Sequence, residues 1–348
     1  MTKIDLAKLA EITPRTITSY ESGVREPTES SLNAIAKALE FPVAFFHEDD
    51  LEPIGKDAAS FRALSKLTAA QTGVALSAGA LGVTLHQWIG DRFVLPPQNI
   101  PMIDASIRDA ESAAMMVRHH WGLGVQPLPN LVHLLESHGV RVFSLVEECR
   151  EVNAFSFWGE DGLPYVCLNT NTTGEHGRFD AAHELGHLVM HRGHMAVRGR
   201  DQEAEANRFA SALLMPSGEV TALAPTRMSW SDLIRIKKYW NVSAAALNYR
   251  LGKTLGHVTE WNYRDLCIEI SRYGRHLEPN PGPREHSQLL SKVFAELKSE
   301  GILYGQIARE LSLPLDVLKD LIFGLVIRGI EGGAESSPPV TPRLRLVT

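Results

Sequence analysis

Arg178-Phe179-Asp180-Ala181-Ala182-His183-Glu184-Leu185-Gly186-His187-Leu188 is the stretch on which the reading of this 348-residue chain turns. The segment reads as helical, and residues four apart on a helix share a face one turn apart. His183 and His187 can then present two imidazoles to one ion. Glu184 lies beside that face, where its carboxylate can hold water and act as general base. Zinc takes nitrogen and oxygen ligands in a tetrahedron, and a catalytic site keeps the fourth position for water. Two ordinary histidines on an amphipathic helix satisfy the same short pattern, so its surroundings must decide.

A third ligand is needed. His191 lies a further turn along and too far down the axis to complete a tetrahedron with the other two; it and His194 fit exposed or supporting positions better. The next helical run, Gln202-Glu203-Ala204-Glu205-Ala206-Asn207-Arg208-Phe209-Ala210, offers two carboxylates. Glu203 and Asn207 are one turn apart on one face, so Glu203 can ligate while Asn207 fixes a ligand histidine. Glu205 points roughly 200° away from Glu203 and is expected in solvent.

Three short runs precede the metal helix: 140–146, 153–158 and 164–169. Charged or Gly-containing turns separate them, which predicts a small antiparallel meander. A helix over 131–135, ending near Gly139, leads into it. Helices are expected around 178–192 and 202–214, with Pro216 stopping the second.

The runs Arg178-Phe179-x-x-Ala182-His183-Glu184-Leu185-Gly186-His187 and Glu203-x-Glu205-Ala206-Asn207-x-Phe209-Ala210-x-x-Leu213-Leu214-Met215-Pro216 resemble the ImmA/IrrE family of metallopeptidases. The likeness spans roughly residues 128–251. It implies a gluzincin-like (zincin) peptidase with metal ligands His183, His187 and Glu203 and catalytic Glu184. It also implies a protein substrate of the helix-turn-helix repressor type, whose cleavage derepresses genes. An extended peptide would lie along an edge strand, for which residues 165–169 are the candidate. Tyr165 and His191 are the nearest oxyanion candidates, and each fits a structural role better.

Residues 1–50 read as short helices with tight joints. Thr13 or Thr16 can cap the second helix with Pro14 in its first turn, and Ser30 or Ser31 can cap the third. Leu6-Ala7-x-x-Ala10, Thr13 to Gly23, Pro27 and Leu32-x-x-Ile35-Ala36-x-Ala38-Leu39 resemble the XRE (Cro/CI-type) helix-turn-helix family. The resemblance implies a recognition helix near 14–22, with Arg15, Thr16, Thr18 and Ser19 towards the major groove and Arg25 on phosphate. The family usually carries a helix before the one beginning here at Ile4; its lack would leave apolar surface uncovered.

The remainder is expected as a helical connecting region over 51–125, a peptidase domain over 126–255, a helical C-terminal domain over 256–330 and a disordered tail over 331–348. The fold class is therefore mainly α (α+β). A net charge of −6 argues against chain-wide attraction to nucleic acid but leaves a local basic patch open. No run of 18 apolar residues marks a membrane span. Cys149, Cys167 and Cys267 are far apart and odd in number, which fits a reduced, cytoplasmic compartment rather than a disulfide framework.

Together these readings predict a zinc endopeptidase fused to a DNA-binding module, with manganese as the alternative ion. DNA could bind through residues 1–50, and a homodimer is compatible with the sequence. The competing reading is an XRE-type regulator or antitoxin whose peptidase-like domain serves as a sensor. A structural scaffold with a closed metal site ranks below both, because such a site has no need of Glu184.

Overall fold

The computed structural model describes residues 1–55, 68–103, 109–145, 151–192, 200–273 and 278–326. The expected tail at 331–348, His194 and Cys149 lie outside these. The chain is mainly helical with one small sheet, as its periodicities predict.

Three helices open it: α1 (Lys3–Leu9), α2 (Pro14–Glu21) and α3 (Glu29–Leu39). Each begins at a threonine whose side chain accepts a hydrogen bond from a first-turn backbone N–H: Thr2, Thr13 and Thr28. Thr28 takes the place expected for Ser30 or Ser31, because Pro27 ends the preceding segment just before it. Ala7, Ala10, Ile17 and Ile35 form a core separate from that of the rest of the chain. Ile4 and Leu9 remain exposed on α1.

α4 (Ala69–Gly90) and α5 (Ala110–His120) follow. α6 (Leu131–Ser137) then leads into a three-stranded sheet of β1 (Arg141–Ser144), β2 (Ala154–Trp158) and β3 (Pro164–Leu168). The sheet is not the expected antiparallel meander. β3 lies in the middle, antiparallel to β2 and parallel to β1. Every residue of β3 is buried, so the most apolar strand takes the central place, flanked on both sides. The candidate edge at 165–169 is thus central, and β2 and β1 are the edges.

Strand alternation sends Phe155 and Phe157 to one face and Ser156 and Trp158 to the other. The aromatic face, with Phe143, packs on α4, where Gly79 and Gly82 admit the rings. The opposite face packs on α7 (Gly174–Met190), where the Trp158 indole N–H donates to the Leu188 carbonyl at 3.3 Å. α8 (Arg200–Leu214) runs back along α7. The two helices approach closely because Gly186 has no side chain: a Cβ there would stand 3.0 Å from Phe209 Cδ1 and 3.3 Å from Ala206 Cα.

The chain continues through α9 (Ser217–Leu223), α10 (Trp230–Trp240), α11 (Ala244–Tyr249), α12 (Glu260–Tyr273), α13 (Gln288–Ser299), α14 (Tyr304–Glu310) and α15 (Leu315–Val326). The segment before α13 is tied to the earlier helices by buried acids. Glu285 accepts from the backbone N–H groups of Leu131 and Val132 at the start of α6 and pairs with Arg178 of α7. Glu136 of α6 in turn accepts from the N–H groups of Gln288 and Leu289 and from the Ser287 hydroxyl. Each acid satisfies donors that the other's helix start leaves unpaired. Burial pushes the Glu136 carboxyl up to about 7, against these hydrogen bonds.

Candidate active site

α7 begins at Thr173, whose hydroxyl accepts from the His176 N–H, one turn earlier than the apolar pattern alone predicts. Its apolar residues Ala181, Ala182, Leu185 and Leu188 face the core, which turns His183 and His187 towards α8. The pairing of His183 with Asn207 and of His187 with Glu203 makes the two helices antiparallel.

His183, His187 and Glu203 come together. One donor atom from each lies within 4.8 Å of the others. The Nε2 atoms of His183 and His187 are 3.0 Å apart, and Glu203 places Oε2 3.5 Å from the first and Oε1 3.3 Å from the second. On His183, Nδ1 lies 3.1 Å from Asn207 Oδ1, an acceptor, so Nδ1 carries a proton and Nε2 is the atom turned to the site. The carboxyl of Glu203 is held below the usual carboxylate range: burial opposes this, but the His183 and His187 imidazoles beside it prevail. His183 is correspondingly raised; its burial is outweighed by Glu203 and by the charges of Glu184 and Asp180. Two imidazoles and a carboxylate at these separations are a donor set that suits zinc and similar divalent cations.

Glu184 is buried beside this cluster. The Ser156 hydroxyl, reaching across from β2, donates to Glu184 Oε2 at 2.6 Å. Asp180, one turn before Glu184, is pushed up to about 6, chiefly by burial.

One expectation needs correcting. Glu205 is not free in solvent: its Oε2 lies 3.1 Å from His191 Nε2. His191 ends α7, and Glu205 reaches past that end to meet it, which the angle around α8 alone could not reveal. His191 Nδ1 in turn lies 2.9 Å from His187 Nδ1. Tyr165, by contrast, has the structural role expected of it: it is fully buried and donates its hydroxyl to Asp161 at 2.7 Å.

In the N-terminal helices, Arg15, Thr18 and Arg25 are exposed and Thr16 and Ser19 half-buried. The Thr18 and Ser19 hydroxyls bond back to the Pro14 and Arg15 carbonyls, and Thr16 pairs with Thr13. The arginines present their charge outwards.

Among the described residues, no helix is long and apolar enough to cross a membrane. No curated protein matches the chain. Residues 1–46 match the family model of a helix-turn-helix domain, and residues 135–252 match that of the IrrE N-terminal-like domain, a peptidase family. The second span runs from within α6 to just past α11 and encloses the whole His183–Glu203 cluster. The chain thus carries an ImmA/IrrE-type peptidase domain behind an N-terminal helix-turn-helix domain.

Proposed function

We propose that this protein is a zinc-dependent endopeptidase of the His-Glu-x-x-His type that regulates transcription by cleaving a helix-turn-helix repressor, with its own DNA-reading module in the same chain. The convergence of His183, His187 and Glu203 on one point, with Glu184 beside it, carries this reading. The three would hold the ion, and Asn207 would orient His183. When bound, zinc supplies Lewis acidity, polarising a peptide carbonyl and acidifying water; manganese suits the same donors.

Glu184 is the general base of this scheme. Ser156 holds its Oε2, and Oε1 would take a proton from water and deliver it to the departing amine nitrogen. Burial of Glu184 keeps bulk water from competing for that proton. The peptide would lie along β2, an edge strand packed on α7, rather than along β3.

Residues 1–50 would contact DNA through Arg15, Thr16, Thr18 and Ser19, with Arg25 on phosphate. Residues 126–255 would form the hydrolytic unit, 51–125 the connection and 256–330 a helical buttress, followed by the tail at 331–348. A cytoplasmic site of action follows from a DNA-reading module, and a homodimer would suit the paired half-sites such modules read.

The test is metal content together with cleavage of a purified helix-turn-helix repressor. Near-stoichiometric zinc in the native chain, lost in Glu203→Ala, and cleavage abolished in Glu184→Gln with zinc retained, are the expected results. A native chain that takes up no zinc even when it is added back would overturn the proposal.

A further inference from the structure

The hydrogen bonds at the end of α7 form a chain that nothing in the preceding scheme uses. Glu205 Oε2 lies 3.1 Å from His191 Nε2, and His191 Nδ1 lies 2.9 Å from His187 Nδ1. Both imidazoles are largely enclosed: 11% of the His191 side chain and 8% of the His187 side chain is exposed. Bonds made there face little competition from water.

The directions of these bonds follow from what each atom can do. A carboxylate only accepts, so His191 Nε2 must carry a proton and donate it to Glu205. A neutral His191 then has a bare Nδ1, which can only accept. His187 Nδ1 must therefore be the donor, so His187 carries its proton on Nδ1. Its Nε2 is left with a lone pair, and this is the atom 3.0 Å from His183 Nε2 and 3.3 Å from Glu203 Oε1. Reversing any one bond would place a hydrogen on His187 Nε2, facing the other donors, and spoil it as a ligand.

We propose that Glu205 and His191 are positioning residues that lock His187 in its Nδ1-protonated tautomer and so prepare its Nε2 to ligate the ion. His183 receives the same service from Asn207, so both ligand histidines are set from their far side: one by an amide, the other by a histidine–carboxylate relay. This rests on the metallopeptidase reading for its purpose. The tautomer itself is a property of the metal-free chain and is measured without it.

The experiment has two readouts on the full chain and on His191→Phe and Glu205→Ala. Phenylalanine keeps the ring volume, and Glu205 sits at the partly exposed rim, so the two variants perturb folding in different ways. Nitrogen-15 NMR of the zinc-free protein reads the His187 tautomer. Competition with a chromophoric chelator reads the dissociation constant for zinc alone. The expected result is a single Nδ1-protonated His187 in the native chain and a mixture in both variants. Zinc affinity should fall about 10- to 100-fold, the cost typical of losing a partner behind a ligand.

A native His187 protonated on Nε2, or variants with unchanged tautomer, would overturn the proposal, as would unchanged zinc affinity in both variants. If the native chain binds no zinc at all, the metallopeptidase reading falls by itself, and the NMR spectrum alone decides the relay.

Discussion

Ser156 and Glu184 are joined by a 2.6 Å hydrogen bond between β2 and α7, made in a buried site with the serine hydroxyl as donor. The bond ties the carboxylate to the sheet, not to the helix that carries it. A hydrogen bond to a charged group contributes about 1.5–3 kcal/mol. Ser156→Ala should therefore lower kcat roughly ten-fold or more on any peptide that the native chain cuts, with zinc content unchanged. Steady-state kinetics beside elemental analysis would check this; an unaltered kcat would show that Glu184 needs no such anchor.

Gly186 sets the spacing of α7 and α8. In Gly186→Val the added carbons meet Phe209 and the Ala206 backbone. The helices must move apart, carrying Glu203 away from the two histidines. Overpacking of this kind costs typically 1–3 kcal/mol. We expect a lower Tm and weaker zinc binding together; loss of stability with native zinc affinity would show that the metal site does not depend on this contact.

Glu136 gives stability a pH dependence whose sign is fixed. Its folded carboxyl lies near 7, above the ordinary 4.5 of the unfolded chain. Between these values the folded state holds a proton that the unfolded state has lost, so stability falls as pH rises through this window. Below 4.5 both states are protonated and the effect vanishes. Relative to Glu136→Gln, the native chain should lose on the order of 3 kcal/mol between roughly pH 4.5 and 7. Urea denaturation at a series of pH values measures the difference; parallel curves would count against it.

The N-terminal arginines differ in what they expose to solvent from the hydroxyls around them, which are turned back onto their own helix. Arg15→Ala and Arg25→Ala should each weaken DNA binding by the full chain and reduce the slope of log affinity against log salt by about 1, if each contacts a phosphate. Loss of affinity at Arg15 confined to particular sequences would instead make it a base contact. No change at either residue would remove these two from the interface.

The convergence of His183, His187 and Glu203 was legible because its information is local. His183 and His187 are related by one helical turn, and Glu203 and Asn207 by another, so two periodic segments and an antiparallel pairing suffice to bring them together. Ser156 was not legible, since nothing within β2 says which residue of α7 it will meet. Glu205 was misplaced for a geometric reason. Its angle around α8 turns it from Glu203, but α7 ends at His191, and a side chain can reach across a helix end where it could not reach across a flank. The sheet order was missed because strand periodicity gives faces and not neighbours. The unbroken apolar run at 164–168 was the one sign that this strand would be central.

The exchange of acids between α6 and the start of α13 bears on how the molecule comes apart. A fragment cut at residue 252, where the peptidase-family match ends, would keep Arg178 and the first N–H groups of α6 but lose Glu285, which satisfies them. It would also strand Glu136 in the interior with no donors to hold it. The stretch that resembles the family most is thus narrower than the stretch that must melt together, and trimming the chain to its recognisable part would leave an unfinished fold.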